Sequence, residues 1–368
     1  KLTGTGGVVN AFTIPVDSYD SLGEIDFGTG ANVLHVVAGS GNAITLNNST
    51  ATNTLHANSQ LFAATSLTVK DASFAKISKF KIADNKNLTF DVGVHDIETT
   101  ANSVYTFAGD DAELGFVVNA AGGKKIKLGA SLIDSANGND RGKVTITNSA
   151  AAGAANLLTV GALVPGTATT LGGANDGAHR LRELNFAGTG DILVDADVTA
   201  TSKLIDQGGT GKATITNAVN MGAGSDITFA AAGTLEFLDN VTSAAAHVTN
   251  GGELILSANK VNTITLTTVT DGKLTADAAA LTGALTVNGN GIPVGNTASA
   301  SVASVTGDVI VRDAIVSIAG TAGGIIDALG TGGIVNLTGD GNVVGPIGGT
   351  AQVGKISVSG NRTFTHAQ

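Results

Sequence analysis

The chain has 368 residues, of which 51 are glycine and 42% are hydrophobic, and this is too apolar for a disordered segment. The formal net charge is −10 with only 14% charged residues, which argues against general nucleic-acid binding, since that needs a basic stripe. Cysteine is absent, so disulfides and thiolate metal sites are excluded. No apolar run is long enough to predict a membrane-spanning helix.

The first regular strands follow a Gly- and Thr-rich N-terminal piece. Residues 1–18 are expected to cap a repeat array, because a terminal repeat lacks one neighbour. Ser66-Leu-Thr-Val69 and Asn87-Leu-Thr-Phe90 are alternating runs that begin 21 residues apart. Alternation of apolar and polar residues at period two predicts β-strands.

A lysine-rich stretch lies between these two runs. It sets five lysines against two aspartates, Asp71 and Asp84, and the lysines are Lys70, Lys76, Lys79, Lys81 and Lys86. One interpretation is a solvated face whose lysines block unwanted strand pairing. The other is a local basic patch for an acidic partner. Both interpretations stay open, and the five lysines are candidate partner-contact residues.

Residues 149–179 interrupt the rhythm of the chain. They are rich in alanine and contain Leu157-Leu158 and, further on, Pro165-Gly166 and Gly172-Gly173. We expect a loop or short helix that leaves the repeat array, because insertions in repeat proteins map to loops, which often carry binding. Leu157, Leu158 and His179 are therefore further candidate contact residues.

The middle of the chain predicts the architecture. Gly233, Gly252 and Gly272 each open a short alternating run, 19 and 20 residues apart, and the pattern extends back to Gly211 and Gly190. A strand that recurs about every 20 residues predicts an all-β parallel β-helix, or β-solenoid, with loop excursions. No linker is apparent, so a single domain over residues 1–368 is expected.

The same runs predict which side chains face inward. Alternate residues of a strand point to opposite sides, so Leu235, Leu254 and Leu274 should stack in one interior ladder. The residues between the apolar ones should point outward: Thr234, Glu236, Glu253, Lys273 and Thr275. The strongest internal repeat is a heptapeptide. It occurs as Gly142-Lys-Val-Thr-Ile-Thr-Asn148 and again, with one change, as Gly211-Lys-Ala-Thr-Ile-Thr-Asn217.

Few features of the sequence indicate chemistry. The six histidines are scattered, and there is no Gly-x-Ser-x-Gly motif. The sequence therefore predicts no catalytic residue, no metal ligand and no cofactor. Asp110-Asp111-Ala-Glu113 groups carboxylates, but turn residues are the favoured interpretation, and calcium binding stays open. The threonines of Thr263-Ile-Thr-Leu-Thr267 suggest one row of an ice-binding face, but the row is expected not to recur in register.

Several short stretches of the sequence resemble those of a known protein family. Gly142-Lys-Val-Thr-Ile-Thr-Asn148, Asn185-Phe-Ala-Gly-Thr-Gly190 and Ile227-Thr-Phe-Ala-Ala-Ala-Gly-Thr-Leu235 are similar to passenger domains of bacterial autotransporters, and most of all to rickettsial surface antigens of the outer membrane protein B type. The resemblance implies a fragment of a passenger that is secreted through a C-terminal outer-membrane barrel and displayed on the bacterial surface. It also implies adhesion to and entry into host cells, and no shared active site.

Three functions follow as expectations. The first is a non-enzymatic cell-surface adhesin whose partner is a host-cell surface protein. The second is a self-assembling surface-layer protein whose partner is another copy of itself. The third is a β-helical polysaccharide lyase or hydrolase, although the absence of tryptophan removes the usual platforms for sugar rings.

Overall fold

The computed structural model of the chain is almost entirely β, with 56% strand and 1% helix. It describes short strands up to residue 82, then residues 84–359 with gaps at 92–95, 100, 102–103, 120, 135–139, 168, 173–178, 197, 200–203, 222, 258, 290–297, 329–332 and 350, and finally residues 364–366. Strand pairs are parallel, and the predicted parallel β-solenoid is confirmed. The chain divides into two compact units, residues 1–202 and 203–368. The single domain over 1–368 stays a prediction.

The described residues of the first unit form seventeen strands and one short 3-10 helix, Ala154–Asn156. The strands are β1 (Leu2–Thr3), β2 (Ile25–Asp26), β3 (Val33–Val36), β4 (Ile44–Leu46), β5 (Gln60–Ala63), β6 (Leu67–Lys70), β7 (Lys79–Ile82), β8 (Asn87–Asp91), β9 (Ile97–Glu98), β10 (Val104–Phe107), β11 (Glu113–Val118), β12 (Lys124–Leu128), β13 (Lys143–Asn148), β14 (Leu158–Ala162), β15 (Glu183–Gly188), β16 (Ile192–Asp195) and β17 (Val198–Thr199).

Strands of the first unit stack in three parallel columns. One column contains β3, β5, β7 and β10, a second contains β4, β6, β8, β11, β13 and β15, and a third contains β9, β12, β14 and β16. The coils lengthen along the chain, because the step from Lys143 to its partner Glu183 is about twice the step from Gln60 to its partner Lys79. The coil length predicted from the sequence is therefore exceeded in the later part of this unit.

In the second unit, the part of the chain that the structure describes forms another seventeen strands. They are β18 (Leu204–Gln207), β19 (Lys212–Ile215), β20 (Val219–Asn220), β21 (Asp226–Phe229), β22 (Thr234–Phe237), β23 (Val241–Val248), β24 (Glu253–Leu256), β25 (Val261–Val269), β26 (Lys273–Asn288), β27 (Ser299–Val305), β28 (Val309–Arg312), β29 (Ile315–Ile318), β30 (Ile326–Ala328), β31 (Ile334–Leu337), β32 (Gly341–Val343), β33 (Lys355–Val358) and β34 (Phe364–His366).

One column of the second unit, which we name sheet A, carries the predicted interior ladder. It consists of β19, β22, β24, the start of β26, β27, β29, β31 and β33. Leu235, Leu254 and Leu274 pair in register and are 0% exposed, so the predicted ladder is confirmed. Burial of such aliphatic side chains is the main source of stability in the stack, and each contributes ~1.5–3 kcal/mol to the free energy of unfolding.

The recurring glycines have a steric explanation. A Cβ built on Gly233 would collide with the carbonyl oxygens of Gly209 and Gly211, in the coil before it. A Cβ on Gly272 would lie 2.7 Å from the carbonyl oxygen of Gly252. The backbones of successive coils therefore approach one another at these glycines more closely than a side chain permits. Close backbone approach of this kind requires glycine.

Long strands turn corners of the second unit without a loop. β23 pairs with β20 through Val241 and with β21 through Ala245. β26 is a single strand of 16 residues, and its pairing shifts register between Ala276 and Ala280. The small alanines at this shift let the strand bend at a bulge while it continues its pairing.

Candidate interaction surfaces

The predicted lysine candidates are only partly described. Lys70 is the last residue of β6, while Lys79 and Lys81 occupy alternate positions of β7. Lys76 lies outside the described residues. Lys86 is partly exposed just before β8, and its carbonyl oxygen accepts a hydrogen bond from the Glu113 amide at 2.9 Å. The structure therefore places Lys70 and the pair Lys79 and Lys81 on strands of different columns, and the role of the lysines as a basic patch stays a prediction.

The predicted excursion over residues 149–179 contains a strand of the stack. β14 pairs with β12 and β16, and Leu158 is 0% exposed. The expectation that Leu158 projects toward a partner is wrong, because its side chain belongs to the core. Leu157 is partly exposed at the end of the 3-10 helix, and its carbonyl oxygen accepts from the Lys124 amide at 3.1 Å. His179 is also partly exposed, so these two residues remain candidates.

The outward positions of sheet A begin with charged residues on four successive rungs. We name Lys212, Glu236, Glu253 and Lys273 the charged strip. Lys212 pairs with Glu236 at 2.7 Å and Lys273 with Glu253 at 2.8 Å. The hydroxyl of Thr214 donates to Glu236 at 3.1 Å, and that of Thr275 donates to Glu253 at 2.8 Å. Each carboxylate is thus held by a lysine and a threonine from neighbouring rungs.

The environment of Glu253 lowers its pKa. Partial burial is the largest influence and acts to raise the pKa, but hydrogen bonds from Lys273 and Thr275 outweigh it. The positive charges of Lys273 and Lys212 act in the same direction as these hydrogen bonds. The fold therefore favours the ionised carboxylate.

Both copies of the repeated heptapeptide hold carboxylates, but they do so differently in the two units. In the first unit Lys143 pairs with Glu183 at 2.8 Å, and the Thr145 hydroxyl donates to Glu113. In the second unit Lys212 and Thr214 both reach Glu236. The repeated Lys-x-Thr pattern thus corresponds to a lysine and a threonine that hold carboxylates on neighbouring rungs.

Further along sheet A, the outward positions carry no charge. We name six residues of β27, β29 and β31 the uncharged strip: Ser299, Ser301, Ile315, Ser317, Ile334 and Asn336. They form two in-register rows, Ser299–Ile315–Ile334 and Ser301–Ser317–Asn336. All six are partly exposed. Lys273 and Lys355 lie on the rungs before and after the strip.

A mixed acidic and histidine group lies on another column of the second unit. Nε2 of His247 is 3.4 Å from the Asp226 carboxylate, and the Thr228 hydroxyl donates to Asp206 at 2.8 Å. Partial burial raises the pKa of Asp226, although the charge of His247 and the Ile227 amide act to lower it. Asp226 is therefore held in an environment that disfavours its ionised form.

Sequence reasoning missed a group of arginines in the first unit. Arg141 and Arg182 lie on adjacent backbone segments, since the Arg182 amide donates to the Gly142 carbonyl oxygen at 2.9 Å. Arg182 pairs with Asp111 at 2.7 Å and Arg180 with Asp140 at 3.2 Å. Asp111, which the sequence analysis considered as a calcium ligand, therefore forms an ion pair with the guanidinium of Arg182. The signal available in the sequence was the scarcity of arginine, which makes three within about forty residues unusual.

The row Thr263-Ile-Thr-Leu-Thr267 does not recur in register, as expected, since Thr267 pairs with Ala246 and Leu285 and only Thr263 has threonine partners. Thr242, Thr263 and Thr282 pair in register on β23, β25 and β26, and Asn220 precedes them on β20. Val261 on the same strand as Thr263 is 63% exposed. The Thr-x-Thr alternation of β25 is absent from β23 and β26, so the column of paired threonines is one residue wide.

Aromatic side chains of the described core are deeply buried. Phe90, Tyr105, Phe107, Phe116, Phe186, Phe229 and Phe237 are each at most 2% exposed. Within the described ranges no three His, Asp or Glu side chains are grouped to hold a metal ion. None of the helices in the described part of the chain is long and apolar enough to cross a bilayer.

Comparison with protein-family models, curated proteins and solved structures finds no match to this chain. The resemblance to autotransporter passengers therefore stays a hypothesis.

Proposed function

We propose that this chain is a non-enzymatic β-solenoid of the bacterial cell surface, an extracellular passenger that acts in attachment to and entry into host cells. The observation that carries the proposal is the repetition of outward side chains at one rung spacing, as on sheet A from Lys212 to Lys355. Such rows offer an extended partner many contacts at a regular spacing. Weak contacts that act together give a high avidity.

Attachment is tested with beads that carry the whole chain at controlled density. We expect such beads to adhere to cultured animal cells more than beads coated with an unrelated acidic protein. Replacing Lys79, Lys81 and Lys86 with glutamine should reduce adhesion if the basic-patch interpretation is right. The matched control replaces Lys212 and Lys273, which already have carboxylate partners. Adhesion no greater than that of the control protein would contradict the proposal.

A second function, self-assembly into a surface layer, is favoured by the uncharged strip. A chain with net charge −10 repels its own copies, and outward rungs without charge reduce that repulsion locally. Light scattering at rising protein concentration tests this function. An apparent mass that grows with concentration supports assembly, whereas a constant monomer mass up to millimolar concentration argues against it. No feature of the described residues favours the polysaccharide lyase or hydrolase alternative.

A further inference from the structure

We infer that the uncharged strip is a lateral contact between two copies of this chain, packed face to face. The inference rests on the self-assembly function proposed above and does not depend on host-cell attachment. It assigns the contact to Ser299, Ser301, Ile315, Ser317, Ile334 and Asn336, the outward residues of three successive rungs.

Charge limits where a second copy can contact this chain. The net charge of −10 opposes contact between copies over most of their surfaces. The charged strip already satisfies its own carboxylates and lysines, as in the pairs Lys212–Glu236 and Lys273–Glu253. Desolvating those ion pairs against another molecule would cost free energy. The uncharged strip carries no such penalty.

Matched spacing also favours a second copy. Parallel strands are ~4.8 Å apart, and stacked sheets pack ~10 Å apart with interdigitated side chains. Two copies of one solenoid share the same rung spacing, so their rows can interdigitate over several rungs. A twofold axis that lies between the two faces, parallel to the strands and at the middle rung, would set Ile315 of each copy against Ile315 of the other, and Ser299 of each against Ile334 of the other, as an isologous contact requires. The isoleucines then form a small apolar centre, and the serines and Asn336 form its polar rim.

The size of the strip determines how strong the contact is. Three rungs and about five strand positions span roughly 14 by 16 Å, or about 220 Å² per copy. A standard stable interface buries about 800 Å² per partner. The strip therefore does not support a stable dimer in dilute solution. It supports a weak contact that operates where copies are crowded, because tethering raises the effective concentration to the millimolar range.

Because the chain has no cysteine, single cysteines report this contact directly. The test variant is Ser317→Cys, in the middle rung of the uncharged strip. The matched control is Ile255→Cys, which occupies the same row on the rung of Glu253 and is likewise partly exposed. Each variant is treated with a short bis-maleimide at rising protein concentration, and circular dichroism verifies folding. We expect Ser317→Cys to form covalent dimers roughly tenfold faster at the highest concentration. Added salt should raise its rate, because it screens the repulsion between acidic copies.

Equal cross-linking rates at the two sites would overturn the inference. A second variant guards against a difference in thiol reactivity: adding Ile334→Asp to Ser317→Cys places a carboxylate within the proposed contact. Loss of the rate advantage supports the contact, and its persistence overturns the assignment. If light scattering shows assembly while the two cysteines react equally, self-assembly stands and uses another surface. If host-cell adhesion fails while Ser317→Cys dimerises preferentially, the contact stands without the adhesive function.

Discussion

The charged strip and the uncharged strip lie on the same sheet and share one interior. Behind the charged strip, Leu254 and Leu274 are 0% exposed, and behind the uncharged strip Val316 and Val335 are 0% exposed. Their outward neighbours differ completely, with ion pairs on one side and isoleucine, serine and asparagine on the other. The coil is therefore specified by its inward residues and its glycine corners. The outward residues are free to differ in charge, which sets what each region can contact.

The largest expected effect comes from breaking the shared interior. Leu254→Asp and Val335→Asp should each destabilise the second unit by roughly 4–5 kcal/mol or abolish folding, because each buries an unpaired carboxylate. The outward substitution Ser317→Asp, one rung from Val335, is the control and should cost less than about 0.5 kcal/mol. Thermal melts of all three variants measure the effect. A melt of Val335→Asp as mild as that of Ser317→Asp would show that the two strips do not share an equivalent interior.

A smaller effect is expected at the glycine corner that both strips need. Gly233→Ala should destabilise by about 1–3 kcal/mol, because the new methyl group collides with backbone oxygens of the preceding coil. At Gly349 the nearest atom to a built Cβ is a side-chain carbon of Ile325 at 3.8 Å, so Gly349→Ala serves as the control. Denaturant unfolding of both variants measures the difference. Equal stability of the two variants would remove close backbone approach as the reason for the glycine period.

The interior could be predicted from the sequence because its signals are local. Alternation indicated the orientation of Leu235 and Leu254, and the glycine steps indicated their register. Coil length in the first unit was not predictable, since the stretch between the paired residues Lys143 and Glu183 includes poorly patterned sequence. Leu158 was misassigned because a Leu-Leu pair after an alanine run has no alternation of its own to separate core from surface.

The surfaces were harder to predict than the core. A row such as Ser301, Ser317 and Asn336 joins residues that are far apart along the chain, and no short motif connects them. The register between rungs must be known before the row can be recognised. The lysine stretch, by contrast, was visible because its residues are close in sequence. Sequence reasoning therefore detected the lysine stretch, whose residues are close together in the chain. It missed the uncharged rows, which can be recognised only from the pairing of strands.

Acid should affect the charged strip through Glu253. Its pKa in the fold is below the ordinary value of 4.5, so its contribution to stability is present above that value and is lost as pH falls through the lowered pKa. The loss should stay below about 1 kcal/mol, as for other partly exposed ion pairs. Melting temperatures of the wild type and Glu253→Gln between pH 7 and pH 3 should converge on acidification. A constant gap between the two would contradict the role of the ionised carboxylate.

Asp226 should show the opposite dependence of stability on pH. Its pKa is raised above 3.8, so its favourable contribution is present at low pH and is lost as pH rises through the raised pKa. Asp226→Asn should therefore be at least as stable as the wild type at pH 7, whereas Glu253→Gln should be less stable. Both variants losing stability equally at pH 7 would show that burial does not dominate at Asp226.

The smallest expected effect comes from moving the charge pattern of one strip onto the other. Ile315→Glu combined with Ile334→Lys places a carboxylate and a lysine on directly paired rungs, as Glu253 and Lys273 are. Identical register should let the new pair form, but a surface ion pair contributes only about 0.2–1 kcal/mol. A double-mutant cycle in denaturant, with each single substitution and the double variant, measures that coupling. The double variant should keep its fold and also lose any concentration-dependent association. A coupling energy well above that surface range would mean that the outward residues also help to specify the coil. The conclusion that the inward residues specify the coil, while the outward residues set only its contacts, would then be wrong.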